Sequence, residues 1–197
     1  MDAKALSRVV HDRRIKTVLN LRGPNPGSTW YREERAAVLA AGATQVDVSM
    51  SSCEWMSRAQ LQAVVHLLES VDYPLLIHCQ QGAERTGLVS AFSELLRPGG
   101  SLADARRQFS VMYLFLPVKD GAVMLEHLEQ YAAWLKRQGA DHSPAQFRRW
   151  VKEGFEPRSP SRENWPYDPF PLVLITRPAP SKRAVPLAQT EASRQAK

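Results

Sequence analysis

Short apolar runs alternate with longer stretches of helical period through most of this chain. Thr17-Val18-Leu19-Asn20-Leu21 and Pro74-Leu75-Leu76-Ile77-His78 are compact apolar runs, the pattern of parallel strands buried on both faces. Thr44 to Met50 alternates, with Val46, Val48 and Met50 on one side, and predicts a third strand. Residues 29–41 predict a helix. So do residues 57–70, where Leu61, Val64, Val65 and Leu68 recur at helical spacing and Ser57 stands as N-cap. Leu88, Ala91, Phe92, Leu95 and Leu96 form another helical face, stopped by Pro98-Gly99-Gly100. Ser101 opens the next helix, and Met124, Leu128, Tyr131 and Leu135 mark a longer one at 121–138. A last helix is expected from Ser143 to Phe155, with Phe147, Trp150 and Val151 on its packed face. Strands alternating with helices, then a helical block, predict an α/β domain with a central, mostly parallel sheet flanked by helices.

After Phe155 the composition changes. Eight of the chain's 14 prolines lie at position 157 or beyond, and Ser, Arg and Gln dominate the end. The expected organisation is a domain at 1–156, a Pro-rich extension at 157–180 packed back on it, and a disordered basic tail at 181–197. In the extension, Trp165 to Ile175 is too apolar for a free linker, and 170–176 is expected to be extended.

Charge narrows the partners. Seven Lys/Arg and three Asp/Glu from Arg158 onward account for +4 of the net +6, so residues 1–157 carry only +2. Aromatic residues are not interleaved with Lys and Arg, so a nucleic-acid platform is not indicated. The basic tail is either a solubilising appendage or a docking segment for an unknown partner. No long uncharged apolar run predicts a membrane span, and the first residues lack the pattern of a signal peptide. With only Cys53 and Cys79, a disulfide framework is not expected, and the expectation is a cytoplasmic protein.

The segment richest in chemistry is His78-Cys79-Gln80-Gln81-Gly82-Ala83-Glu84-Arg85-Thr86-Gly87, between an apolar strand and a helix start. A loop running into a helix N-terminus turns several backbone N–H groups into one concavity, which suits a phosphate dianion. The same positive end favours the thiolate of a cysteine placed there, making Cys79 a nucleophile. Gln80, Gln81, Gly82, Ala83 and Glu84 wrap the anion, and Arg85 returns to it with a planar fork that Lys cannot copy. Gly82 and Gly87 permit the tight path, and Thr86 is placed to hydrogen-bond the thiolate.

His-Cys-x5-Arg-Thr-Gly after an apolar strand resembles the signature of the protein tyrosine and dual-specificity phosphatase superfamily, and Gly82-Ala-Glu-Arg-Thr-Gly-Leu-Val-Ser-Ala is similar to its small bacterial members. Thr17 to Arg22 looks like the early strand of those enzymes, and the resemblance is judged to span residues 5–155. It implies a dual-specificity-like cysteine-phosphatase fold and a two-step reaction. Cys79 forms a phosphocysteine, a general acid protonates the leaving oxygen, and water releases phosphate without metal or cofactor. The family's general acid is an Asp on a separate loop, but the corresponding segment here, Ser49 to Trp55, contains none. Glu54 is the first candidate, Glu84 the second and Asp47 the third. The family also implies that His78 bonds backbone near the loop rather than acting as a base.

Further readings concern the surroundings. Arg22 is expected in a structural ion pair rather than as a source of potential at the site. Trp55 is either a cleft wall or a core anchor. Cys53 reads as an ordinary buried residue, the alternative being a reversible disulfide with Cys79. Because Arg85 is the loop's sole cation, a singly phosphorylated group is favoured, on the Tyr, Ser or Thr of a protein or on a small phosphomonoester. A non-catalytic phosphate-binding module and a rhodanese-like sulfurtransferase are the competing classes.

Overall fold

The computed structural model describes residues 2–110, 120–158 and 171–179. The tail at 181–197 and the Trp165–Phe170 stretch lie outside these residues, so the expectations about them stand as expectations. Helix α1 (Ala3–Asp12), capped by Asp2, leads into strand β1 (Thr17–Asn20). Helix α2 (Thr29–Ala40), strand β2 (Thr44–Val48) and helix α3 (Arg58–Ser70) follow. Strand β3 (Leu75–His78) then runs into helix α4 (Glu84–Leu96). Helices α5 (Leu102–Arg107), α6 (Asp120–Gln138) and α7 (Pro144–Arg149) complete the helical block, and strand β4 (Val173–Thr176) closes the order. Ser57 caps α3 in a full capping box with Gln60, a feature that contributes about 1 kcal/mol.

The described strands form one sheet in the order β3-β1-β2-β4. β1 is parallel to both β2 and β3, while β4 is antiparallel to β2. The chain is thus α/β with a mostly parallel sheet. Leu19, Val46 and Val48 face α3, α4, α6 and α7, whereas Val18 packs with Leu6 and Val10 of α1 and Val38 of α2.

The polar side of β2 does not meet water, because α2 covers it and Gln45 and Asp47 are completely buried. Two details depart from the sequence reading. β3 is half-buried at the edge of the described sheet rather than enclosed on both faces. The final helix is not uniform: α7 passes at Trp150 into a π-helical segment, Trp150–Gly154. There Gly154 meets the Trp134 ring so closely that a Cβ would stand 2.5 Å from its Nε1. Only glycine fits without displacing the indole.

Candidate active site

Parallel strands bring their C-terminal ends to one edge of the sheet, and ligands of open α/β sheets bind there. The segments leaving β1, β2 and β3 meet at this edge, and Arg85 ties them together. Its Nη1 donates to the carbonyl of Leu21, just past β1, and to that of Met50, just past β2, both at 3.1 Å. Arg85 is 9% exposed, a buried charge fixed by strand-end carbonyls and still lining a cavity. That cavity, of about 240 Å³, is lined by Ser52, Gln80, Gln81, Glu84 and Arg85.

Cys79 lies directly after β3 and is 8% exposed. The Gly82 N–H donates to its Sγ at 3.3 Å. Burial alone pushes the thiol's pKa up, but the Thr86 hydroxyl and the N–H groups of Thr86, Gly82 and Gln81 outweigh it and hold the pKa below the ordinary thiol value. Gly82 has φ +75°, where a side chain is strained although space is open. Gly87 answers to space instead: a Cβ there would lie 3.1 Å from the Gln108 carbonyl oxygen. Ala83 is the N-cap of α4 and supplies no side-chain bond, so the helix's first N–H groups are not taken by a capping side chain.

The three carboxylates considered from sequence are placed very differently. Glu84, in the first turn of α4, lines the cavity. Glu54 is half-buried and absent from the cavity lining, and its Oε2 is buried with no hydrogen-bond partner among the described residues. Asp47 is fully buried under α2, accepting from Tyr31 Oη at 2.7 Å, Asn20 Nδ2 at 2.9 Å and Gln45 Nε2 at 3.1 Å. Burial raises its pKa, these hydrogen bonds oppose the rise, and the residue does not line the cavity.

His78 Nδ1 lies 3.3 Å from the Cys79 carbonyl oxygen, a contact to backbone beside the loop. Its Nε2 lies 3.1 Å from Glu34 Oε1, within ion-pair distance though off the line of a ring N–H. Arg22 stacks over the Trp30 ring, its Cζ 3.5 Å from the centroid. Trp55 is a core anchor: 4% exposed, it stacks on His127 with centroids 4.2 Å apart. Cys53 is a correction, being exposed rather than buried. Its Sγ lies 3.5 Å from Ser51 Oγ, in a loop that follows a strand end and leaves its tip to solvent.

Sequence reasoning missed Ser52 in the cavity and Glu34 behind His78. For Glu34 a signal existed, since Tyr31, Glu34 and Val38 fall on one helical stripe and the carboxylate interrupts an otherwise packed face.

The α/β layer thus carries a strand-to-helix loop in which a buried cysteine of lowered pKa stands beside a cavity lined by Arg85. Residues 3–99 match the family model described as Tc-R-P, polymorphic toxin system, DSP-PTPase phosphatase. The match supports a phosphatase domain of the dual-specificity type, and it takes in α1 through α4 and the whole of the 78–87 loop. No curated protein and no solved structure gives a significant match. Among the described residues no helix is long and apolar enough to cross a membrane, and no cluster of three or more His, Cys, Asp or Glu is set to hold a metal ion.

Proposed function

We propose that the domain hydrolyses phosphomonoesters through a phosphocysteine on Cys79. The observation that carries this reading is the stabilised thiol beside a cavity that Arg85 and the loop line. In the first step the Cys79 thiolate attacks phosphorus and an S–P bond forms. The ester O–P bond breaks, and Glu84, the carboxylate lining the cavity, gives its proton to the leaving oxygen. Arg85 and the loop N–H groups hold the phosphoryl oxygens as charge shifts among them. In the second step Glu84 takes a proton from water, the water oxygen attacks phosphorus, and the S–P bond breaks. Thr86 steadies the thiolate as it leaves.

The substrate we infer is singly phosphorylated: a phosphotyrosine, phosphoserine or phosphothreonine of a protein. Ser52, Gln80 and Gln81 add no positive charge to the lining, and Glu84 opposes further negative charge. The toxin-system description of the matched family makes another cell's phosphoproteins a natural place to look for the target. A reducing compartment such as the cytoplasm suits the free thiols of Cys53 and Cys79.

The test is turnover of para-nitrophenyl phosphate by wild type and Cys79→Ser, with chelator and reductant present. The expected result is metal-independent hydrolysis that Cys79→Ser lowers by roughly 10⁴-fold or more. Hydrolysis that survives the substitution sinks the mechanism. A folded wild type that binds phosphate without turnover replaces the enzyme with a binding module.

A further inference from the structure

We propose that Glu34 is a positioning residue for Cys79, acting through His78 to fix the base of the phosphate loop. The inference rests on the reading of Cys79 as nucleophile. It starts from strand register, in which Asn20 of β1 stands opposite both Asp47 of β2 and His78 of β3. Three polar residues thus form one rung on the sheet face that α2 covers, one position before the strands give way to the site loops. α2 lowers Tyr31 and Glu34 onto that rung, both nearly inaccessible to water.

Glu34 Oε1 accepts from Gln45 Nε2 at 3.3 Å, and the same amide donates to Asp47 Oδ1. Toward β3, the oxygen lies 3.1 Å from His78 Nε2, while His78 Nδ1 faces the Cys79 carbonyl oxygen. The imidazole therefore meets oxygen at both nitrogens. The Nδ1 contact runs to backbone, and the Nε2 contact is one of proximity to a carboxylate rather than an aligned hydrogen bond, so a hydrogen on Nε2 turns the ring's positive edge toward Glu34 one residue before the thiol. The other titratable groups at this junction are Asp47, bonded to Tyr31, with Arg35 beside Tyr31, and Arg85 on α4, bonded to the Leu21 and Met50 carbonyls.

Stability alone does not account for a carboxylate here. A buried ion pair is often matched or bettered by apolar packing of similar volume, because desolvation offsets the attraction. A glutamate on the packed stripe of α2 gains its purpose from what it aims at. The sign of its effect separates the two accounts. A bystander carboxylate near a thiol opposes ionisation, so neutralising it eases thiolate formation. A carboxylate that orients the histidine behind the loop does the reverse.

The experiment is the pH dependence of Cys79 alkylation by iodoacetamide, in a Cys53→Ser background so that one thiol reports. Glu34→Gln keeps the size and the acceptor oxygen and removes the charge. It is expected to move the alkylation midpoint upward by about one pH unit, or roughly tenfold slower reaction below the midpoint. In a His78→Gln background, Glu34→Gln is expected to add nothing. A midpoint that is unchanged or lowered, or an additive double variant, overturns the proposal. Should Glu34→Gln not fold, ¹⁵N spectra of the wild-type His78 ring decide instead: a hydrogen on Nε2 is required, and a bare Nε2 overturns it. Alkylation needs no turnover, so an upward shift in a protein inactive on para-nitrophenyl phosphate would keep this inference and remove the phosphatase mechanism.

Discussion

Arg85 has two separate tasks, and they predict different costs for two substitutions. Its charge faces the cavity, while Nη1 holds two strand-end carbonyls that would otherwise lose a donor. Arg85→Lys keeps the charge but loses the planar fork, and Arg85→Ala also leaves those carbonyls without that donor. Both are expected to lower kcat/KM on aryl phosphate by roughly 10²–10³-fold, the range for removing a transition-state donor. Only Arg85→Ala is expected to lower the melting temperature clearly as well. Equal melting temperatures would show that the carbonyl contacts carry no structural weight. The proton donor belongs to this scale too. Glu84→Gln is expected to remove one limb of the pH-rate profile and cost about 10²-fold or more on an alkyl phosphate, whose leaving group needs the proton most. If Glu54→Gln does this and Glu84→Gln does not, the donor is Glu54.

That Cys79, Arg85 and Thr86 share one strand-to-helix loop was legible from sequence, because a strand, a short loop and a helix start are local features. Arg85's partners were not, since Leu21 and Met50 contribute carbonyls that any residue possesses, 64 and 35 positions away in the chain. Cys53 was misread for a related reason. Small size favours burial on average, but a loop tip beyond a strand has nothing above it to bury against.

Between elements, His127 of α6 joins the helical block to the loop that carries Ser52 and Glu54. Its Nε2 accepts the Met56 N–H at 3.2 Å, and its ring lies against Trp55 and Phe155. Burial lowers its pKa from 6.5 to about 4, so the folded protein holds it neutral where the unfolded chain protonates it. Stability from this group is complete above pH 6.5 and is lost as pH falls toward 4, by about 3 kcal/mol in all. Urea unfolding at pH 7.5 and pH 5 should show a steeper loss for wild type than for His127→Asn. Parallel losses would remove His127 as the cause. The helices themselves were readable from their caps and periods, Ser57 and Ser101 above all. Which residue of one helix bonds the loop before another depends on packing angles that periodicity does not contain.

At the scale of the whole molecule, β4 returns from far along the sequence to pair with β2, and Ser49 N–H extends the pairing to the Leu172 carbonyl at 3.0 Å. β2 leads into Met50, whose carbonyl holds Arg85, so this late strand braces the strand that bears on the site. A chain ending at Arg158 is expected to lose at least about 1 kcal/mol, or ~2–4 °C in melting temperature, while keeping measurable turnover. An unchanged melting temperature would show that β4 adds no support. The α/β class was readable because alternation of period reports layer order. The covering of the polar side of β2 by α2 was not, because Gln45 and Asp47 follow the pattern of a solvent-facing edge until Tyr31 and Glu34 bring partners to them.

The claim on which the rest depends is that phosphate passes through Cys79. Rapid acid quenching of the wild type during turnover of an aryl phosphate, followed by peptide mass spectrometry, tests it directly. The account predicts one phosphoryl group on the peptide containing Cys79, confined to that sulfur and absent from Cys79→Ser. A phosphoryl group on another side chain, or full turnover with no adduct and undiminished activity in Cys79→Ser, would contradict it.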